Sequence, residues 1–239
     1  MLAPNLGGCG GAAVRRSGTG LEPNESPADL YVDLAAEYFR RGQLEAALER
    51  AERALHEDRR SPRAHYMMAI LHQHLGQAKK AEQGFAEAVR LAPNNPKFRN
   101  ALGFVLCSQG SYDEAIEQMQ LAINNPLYAT PEVALMNAAD CARRSHRGPQ
   151  EDAFLQQAVE RNPNYPPALL ALTRRNFERG DYQAARGYLT RYSRFGEPTQ
   201  EALLLAAQIE RRLGNAREAQ AIEAGLRQRF PNAPQTLQP

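Results

Sequence analysis

Histidine and cysteine side chains are the residues of this chain whose types and spacing suit metal or redox chemistry. His65, His72 and His74 lie close together, and imidazoles are common zinc ligands. His65 and His72 fall, however, where a helix in this region would present large side chains to its neighbours. We interpret them as packed imidazoles, keep zinc binding as the alternative, and predict no metal site. Cys107 and Cys141 are 34 residues apart, so their chemistry depends on the elements that position them.

The glycine-rich and arginine-rich segments provide no recognisable catalytic or nucleic-acid site. The cluster Gly-Gly-Cys-Gly-Gly at residues 7–11 lacks the Lys-Ser/Thr of a phosphate-binding loop, and no Gly-x-Ser-x-Gly hydrolase motif is present. Arginines near the C-terminus alternate with glutamates, which favours a solvated helix face over a basic patch. The formal net charge of +2 does not indicate a polyanionic partner. We predict a non-enzymatic protein with no cofactor, no small-molecule substrate and no nucleic-acid partner.

The composition points to an all-α protein. Hydrophobic residues make up 43% and charged residues 23% of the chain, which is ordinary for a globular protein and excludes wholesale disorder. Tryptophan is absent, while Ala, Leu, Arg, Glu and Gln, which lose little side-chain freedom in a helix, are abundant. No apolar stretch approaches the roughly 20 residues that a membrane-spanning helix needs.

A period of 34 residues organises this helical chain. Gly42, Gly76 and Gly110 are 34 residues apart, as are Gly180 and Gly214, and small residues follow each glycine at a fixed distance. This pattern of helix, glycine turn and second helix resembles the tetratricopeptide repeat (TPR). It predicts an all-α TPR superhelix of six helix-turn-helix repeats, because a single pair cannot bury its own apolar face. We place the repeats at residues 28–61, 62–95, 96–129, 132–165, 166–199 and 200–233.

The fourth repeat departs from the pattern at its turn. His146 stands where the other complete repeats have glycine, and Pro149 follows shortly after it. A non-glycine residue is disfavoured in the left-handed conformation that such a turn uses. We therefore predict a distorted turn, with Pro149 tolerated in the first turn of the next helix.

The first helices of the repeats are expected to line a groove, here called the trough, that holds a protein segment. Asn100 and Asp140 are expected to hydrogen-bond the backbone of that partner, while the charged clamp that binds chaperone tails is absent, with Val32 and Ala36 at its positions. The alternative is that the apolar members only pack one repeat against the next. The trough comprises Phe39, Tyr66, Ile70, Asn100, Phe104, Met136, Asp140, Leu170, Arg174 and Phe177.

Residues 1–27 are rich in Gly, Ala, Ser and Pro and predict a flexible tether before the repeats, and residues 234–239 predict a short tail after them. Leu6-Gly7-Gly8-Cys9 within the tether resembles a bacterial lipobox, in which the cysteine is acylated. Only eight residues precede Cys9 and none is basic, so the match is either a coincidence or the end of a leader whose start lies upstream of Met1.

The segment from Arg99 to Ala142 carries a pattern that the repeat period does not require. It consists of Asn100, Gly103, Leu106 and Cys107, then Asn-Pro-Leu-Tyr at 125–128, then Asn137, Ala138 and Cys141. This pattern resembles the PilF/PilW family of type IV pilus biogenesis proteins. The resemblance implies an outer-membrane lipoprotein that faces the periplasm, is lipid-anchored through Cys9, and acts like a pilotin in pilus secretin assembly. Its implied partner is the secretin or its assembly machinery.

Two alternatives to this function stay open, as does the state of the cysteines. The first alternative is a cytosolic TPR adaptor of an unrelated multiprotein complex, which predicts a cytoplasmic protein without lipid. The second alternative is a periplasmic enzyme subunit. Cys107 and Cys141 fall late in the first helices of adjacent repeats, which stack side by side. They are expected to form a disulfide in an oxidising compartment, with two buried thiols as the alternative.

Overall fold

The computed structural model describes residues 26–231, which form helices, turns and loops without a β-strand. Cys9 and the tail 234–239 lie outside these residues. Twelve helices are found: α1 (Pro27–Arg40), α2 (Leu44–Glu57), α3 (Pro62–His74), α4 (Ala78–Leu91), α5 (Pro96–Ser108), α6 (Tyr112–Ile123), α7 (Pro131–Arg144), α8 (Gly148–Arg161), α9 (Pro166–Glu178), α10 (Tyr182–Phe195), α11 (Gln200–Arg212) and α12 (Ala216–Arg229).

Polar caps and prolines set the starts of the first helices of the repeats. The side chains of Ser26, Ser61 and Asn95 accept hydrogen bonds from backbone N–H groups in the first turns of α1, α3 and α5. Each of these helices then begins with proline, which has no N–H to satisfy and a backbone angle that suits the first turn. The chain therefore enters the first three repeats at a fixed position.

Each odd-numbered helix packs against the following even-numbered helix, and neighbouring pairs stack to make an all-α TPR superhelix. Contacts also join first helices directly, as between α5 and α7 and between α9 and α11. Fully buried alanines such as Ala47, Ala81 and Ala115 on the second helices allow this close approach. The largest buried cluster extends from Ala69 to Ala202, so one core runs through the middle repeats.

The turns inside the repeats use the left-handed conformation. Gly110 has φ +89°, and its N–H donates to the Cys107 carbonyl at 3.2 Å. His146 adopts the same conformation with φ +58°, and its N–H donates to the Arg143 carbonyl at 3.0 Å. The predicted distortion of the fourth turn is therefore wrong, because these hydrogen bonds hold a non-glycine residue in the regular geometry at a cost of about 1–2 kcal/mol. Pro149 lies in the first turn of α8, as predicted.

Across residues 26–231, every helix is too short or too polar to cross a membrane.

Candidate functional site

The trough residues lie on the first helices α1, α3, α5, α7 and α9, but they differ in how much of each side chain solvent can reach. Phe104 on α5 is 46% exposed, and Asp140 on α7 is also exposed. The other eight residues are partly buried. Phe104 is therefore the apolar member of the trough that is most available to a partner.

Several aromatic members of the trough pack against other side chains of the protein. The Tyr66 ring centroid lies 5.5 Å from that of Phe85 and 4.8 Å from that of Phe98. Burial raises the pKa of the Tyr66 hydroxyl. Phe177 similarly packs on Tyr182, with ring centroids 5.4 Å apart. These rings contribute to repeat packing, which was the alternative interpretation of the trough, and they leave one face at most for a ligand.

The aliphatic members of the trough likewise pack against the protein while part of each side chain stays accessible. Ile70, Met136 and Leu170 are partly buried and pack against the largest core cluster. Phe39, at the other end of the stack, meets the edge of the His74 ring at a centroid distance of 5.2 Å. Side chains anchored in this way lose little conformational freedom when a partner covers them, which reduces the entropic cost of binding.

Asn100 makes contacts that the sequence did not reveal. Its Oδ1 accepts a hydrogen bond from Asn137 Nδ2 at 3.0 Å, which links α5 to α7. Its side chain also lies close enough to the hydroxyl of Tyr128 to lower the pKa of that group, as does Thr130. Burial nevertheless raises the pKa of Tyr128. The Oδ1 atom of Asn100 thus has a partner inside the protein, while a hydrogen bond from Asn100 to the backbone of a bound segment stays a prediction.

The charged members of the trough form ion pairs at its surface. Asp140 accepts a hydrogen bond from Arg143 Nη2 at 2.5 Å on the same helix. Arg174 on α9 donates to Glu201 on α11 at 3.0 Å. Exposed pairs of this kind stabilise the fold weakly, by about 0.2–1 kcal/mol. Their carboxylates and guanidinium groups can therefore exchange partners when a ligand arrives.

The structure joins Cys107 on α5 to Cys141 on α7 by a disulfide. Their Cα atoms are 5.7 Å apart, within the range that a disulfide allows. Both residues are buried, and Arg144 Nη1 lies 3.8 Å from Cys107 Sγ. The bond connects the two helices that carry Phe104 and Met136, so it fixes the middle of the trough.

The three histidines lie in separate environments. His65 Nε2 is 2.9 Å from the Arg59 carbonyl, whereas the His74 ring packs on Phe39. His72 Nδ1 is buried without a hydrogen-bond partner. Between residues 26 and 231 no group of three His, Cys, Asp or Glu side chains is arranged to hold a metal ion.

A buried charge network between α8 and α9 was not predicted from the sequence. Glu151 is only 7% exposed and lies 3.8 Å from Arg175 Nε, which also donates to Asp152 at 2.8 Å. Burial raises the pKa of Glu151, while Arg175 opposes the shift. Arg175 also lies close to Gly148, because a Cβ built on this glycine would be 2.6 Å from Arg175 Nη2 and the arginine would have to shift to accept it. No spacing rule in the sequence distinguishes Glu151 from the exposed glutamates of other repeats.

Comparison with known proteins agrees with this architecture. Tetratricopeptide repeat models match residues 38–90 and 66–131. The type IV pilus assembly protein PilF of Pseudomonas aeruginosa is 22% identical over 233 residues, covering 98% of this chain and 92% of PilF.

Two solved structures show the same fold. That of PilW, described as a widely conserved type IV pilus biogenesis factor, superposes with a TM-score of 0.79 at 28% identity, covering 87% of this chain and 96% of PilW. That of P. aeruginosa PilF also gives 0.79, at 23% identity, and covers 86% of this chain and 93% of PilF. The chain is therefore homologous to PilF along almost the whole of that protein, shares its fold with PilW, and is built of tetratricopeptide repeats.

Proposed function

We propose that the chain is a non-catalytic protein-interaction scaffold that supports type IV pilus biogenesis by assisting assembly of the outer-membrane secretin. The main support is the likeness to PilF, which extends over 98% of the chain and so involves the whole stack rather than one generic repeat. The fold favours an interaction role, because a TPR stack presents a long surface on which a protein segment can lie.

The trough is the proposed site for that segment. Phe104 offers an exposed aromatic ring, and partly buried Ile70 and Met136 lie on the first helices of the repeats before and after it. Aromatic and aliphatic side chains at the centre of a contact surface provide most of the binding energy in protein complexes. The ion pairs of Asp140 on α7 and Arg174 on α9 follow this apolar centre along the stack and would orient the partner.

A periplasmic location with a lipid anchor at Cys9 completes the proposal. The disulfide between Cys107 and Cys141 favours an oxidising compartment. Acylation of Cys9 in Leu6-Gly7-Gly8-Cys9 would hold the repeats at a membrane surface. The residue after the cysteine is Gly10 and not Asp, which favours sorting to the inner face of the outer membrane. Labelling with palmitate should mark the wild-type precursor and not a Cys9→Ala variant. An unlabelled wild-type protein that stays in the cytosol would instead support the alternative of a cytosolic adaptor.

A matched pair of variants tests the trough. Phe104 on α5 and Leu121 on α6 are 46% and 44% exposed, so an aspartate at either position has a similar cost in stability, but only Phe104 lies in the trough. Phe104→Asp should abolish secretin multimers and surface pili in a strain that lacks its own copy. Leu121→Asp should retain both, and the two proteins should melt within a few degrees of each other. Normal secretin multimers with Phe104→Asp would remove the trough from the mechanism.

A further inference from the structure

In repeats two to six, the preceding repeat covers one face of the first helix. The third and seventh residues of each repeat mark this face, and in α5 they are Phe98 and Leu102, which are both buried. The cover is visible at Phe98, whose ring centroid lies 4.8 Å from that of Tyr66 in the preceding repeat. The third residues of the other four repeats are buried alanines, namely Ala64, Ala134, Ala168 and Ala202.

In the first repeat the same face of α1 is open, because no repeat precedes it among residues 26–231. Its third and seventh residues are Leu30 and Leu34, which are 36% and 37% exposed. Neither leucine belongs to the buried cluster of the first two repeats. Glu37 and Arg41 continue this face along the helix, and Arg41 Nε donates to Glu37 Oε1 at 2.7 Å. We call these four residues of α1 the leading face.

The opposite end of the described stack is built differently. In α6, Ile116 and Ile123 are buried. The equivalent residues of α12 are Gln220 and Arg227, and both are exposed. A polar outer face of this kind is typical of a terminal repeat, which has water instead of a neighbour. The leading face breaks this rule, because it keeps two leucines at positions that every later repeat buries against a neighbour.

A second copy stacked head to tail fits the leading face poorly. Such a copy would bring its own α12 to the leucines. The position of Gln220 faces forward along the stack, as shown by its equivalent in the fourth repeat, Asp152, which accepts a hydrogen bond from Arg175 of the next repeat at 2.8 Å. The copy would therefore place a side-chain amide against apolar surface, where the amide would have no hydrogen-bond partner.

The chain before α1 is also a poor match. Residues 10–25, which would remain after processing at Cys9, have Val14 and Leu21 as their large apolar residues. Several glycines and a proline accompany these two residues, and both residue types disfavour a helix. This sequence does not predict a helix that could replace a preceding repeat.

The charges around the leucines argue against a lipid surface. Asp29 and Asp33 on α1 share one guanidinium group, that of Arg63, at 2.8 and 2.6 Å. One negative charge is therefore left over beside the leading face. Anionic lipid headgroups attract lysines and arginines and repel carboxylates.

We propose that the leading face docks an amphipathic α-helix of another protein. The helix lies on α1 with its apolar stripe over Leu30 and Leu34 and its polar residues over the ion pair of Glu37 and Arg41. A helix is the expected occupant, because helices cover the same positions in the five later repeats and the surface already has the shape for helix packing. Leu30 is about two and a half turns from Phe39 of the trough, so the two surfaces lie on opposite sides of α1. The inference does not depend on the proposed pilus function.

Photo-crosslinking of the full-length protein in its native host tests the proposal. The probe is p-benzoylphenylalanine in place of Arg41, which is exposed at one end of the leading face. It should give an adduct with another protein. Mass spectrometry should place the crosslink in a segment whose apolar residues recur every three or four positions, as in an amphipathic helix. A synthetic peptide of that segment should bind the purified full-length protein and gain helical circular dichroism on binding.

Matched variants show whether the peptide uses the leading face. Leu34→Asp should weaken peptide binding about tenfold or more, because the complex would bury a charge against apolar surface, while Leu34→Met should keep most of the affinity. Leu121→Asp, at a leucine of α6 that is 44% exposed, should leave the affinity unchanged, and so should Phe104→Asp in the trough. The Leu34→Asp and Leu121→Asp proteins should melt within a few degrees of each other, which separates binding from folding.

Several outcomes would overturn the inference. An adduct with lipid alone, with residues 1–25 of the same chain or with a second copy would show a different occupant, and the absence of any adduct would show none. A crosslink in a segment without a helical apolar pattern would contradict the proposed chemistry. Peptide binding that depends on Phe104 and not on Leu34 would assign the peptide to the trough. A Leu34-dependent peptide from a protein unrelated to pili would support the leading face and contradict the proposed function.

Discussion

The disulfide between Cys107 and Cys141 should provide a measurable share of the stability of the stack. The bond closes a loop with a sequence separation of 34 residues between repeats three and four. In the chain-entropy model, a loop of this size restricts the unfolded chain enough to stabilise the fold by about 3–4 kcal/mol. For a protein of this length, each kcal/mol corresponds to about 2–4 °C in melting temperature. Reduction should therefore lower the melting temperature by about 6–16 °C.

Thermal unfolding monitored by circular dichroism, with and without a phosphine reductant, measures this contribution. All chains should carry Cys9→Ser so that only the two paired cysteines remain. The control is the double variant Cys107→Ala/Cys141→Ala, which should melt near the reduced protein and be insensitive to reductant. Alanine is preferred to serine there, because both positions are buried and a hydroxyl would lack a partner.

Two results would refute this reasoning. A thiol assay on the denatured, unreduced Cys9→Ser protein should detect no thiol, so two reactive thiols after purification from the periplasm would show that the bond does not form there. Identical melting of oxidised and reduced protein would show instead that the bond forms without restricting the unfolded chain, as when the denatured repeats keep their contacts.

Three further predictions concern single residues. His146→Gly should raise the free energy of unfolding by about 0.5–1 kcal/mol, measured by urea denaturation, because glycine adopts the left-handed turn without steric cost; a loss of stability would contradict this. Glu151→Gln should have the same free energy of unfolding as the wild type below pH 4.5. As the pH rises through the raised pKa of Glu151, the variant should become relatively more stable, because burial in the fold penalises only the charged carboxylate. A difference in the free energy of unfolding that does not change with pH would argue against this. Asn100→Leu should destabilise the fold by about 1–3 kcal/mol in the same urea assay, since Asn137 on α7 loses its hydrogen-bond partner on α5, and an unchanged midpoint would show that this bond contributes little to stability.

The sequence predicted the architecture well because the repeat period is marked by glycine and alanine, which few other residue types can replace at these positions. Gly42 and its equivalents mark left-handed turns, and buried alanines mark the helix contacts, so fold class followed from spacing alone. His146 was misjudged because a conformational penalty of about 1–2 kcal/mol is small beside the packing of two neighbouring repeats, and packing decided the turn.

The candidate site was less predictable, because exposure depends on neighbours that are distant in the chain. Tyr66 and Asn100 occupy equivalent positions on successive first helices, yet one packs on Phe85 and the other bridges to Asn137. The position of a residue within the repeat does not show whether its side chain packs against the protein or lines an open groove. The 87% exposure of Leu127 was likewise hidden, since nothing local shows that Tyr128 next to it turns inward.

The covalent link between α5 and α7 also has a mechanical consequence. When a stack of repeats is pulled from its ends, each repeat that opens lengthens the chain, and the outermost repeats open first because they have one neighbour instead of two. The bond at Cys107 and Cys141 removes a span with a sequence separation of 34 residues from the extensible length, which amounts to roughly 120 Å of fully stretched chain. Under load the protein would yield from its two ends toward a middle segment that cannot be drawn out.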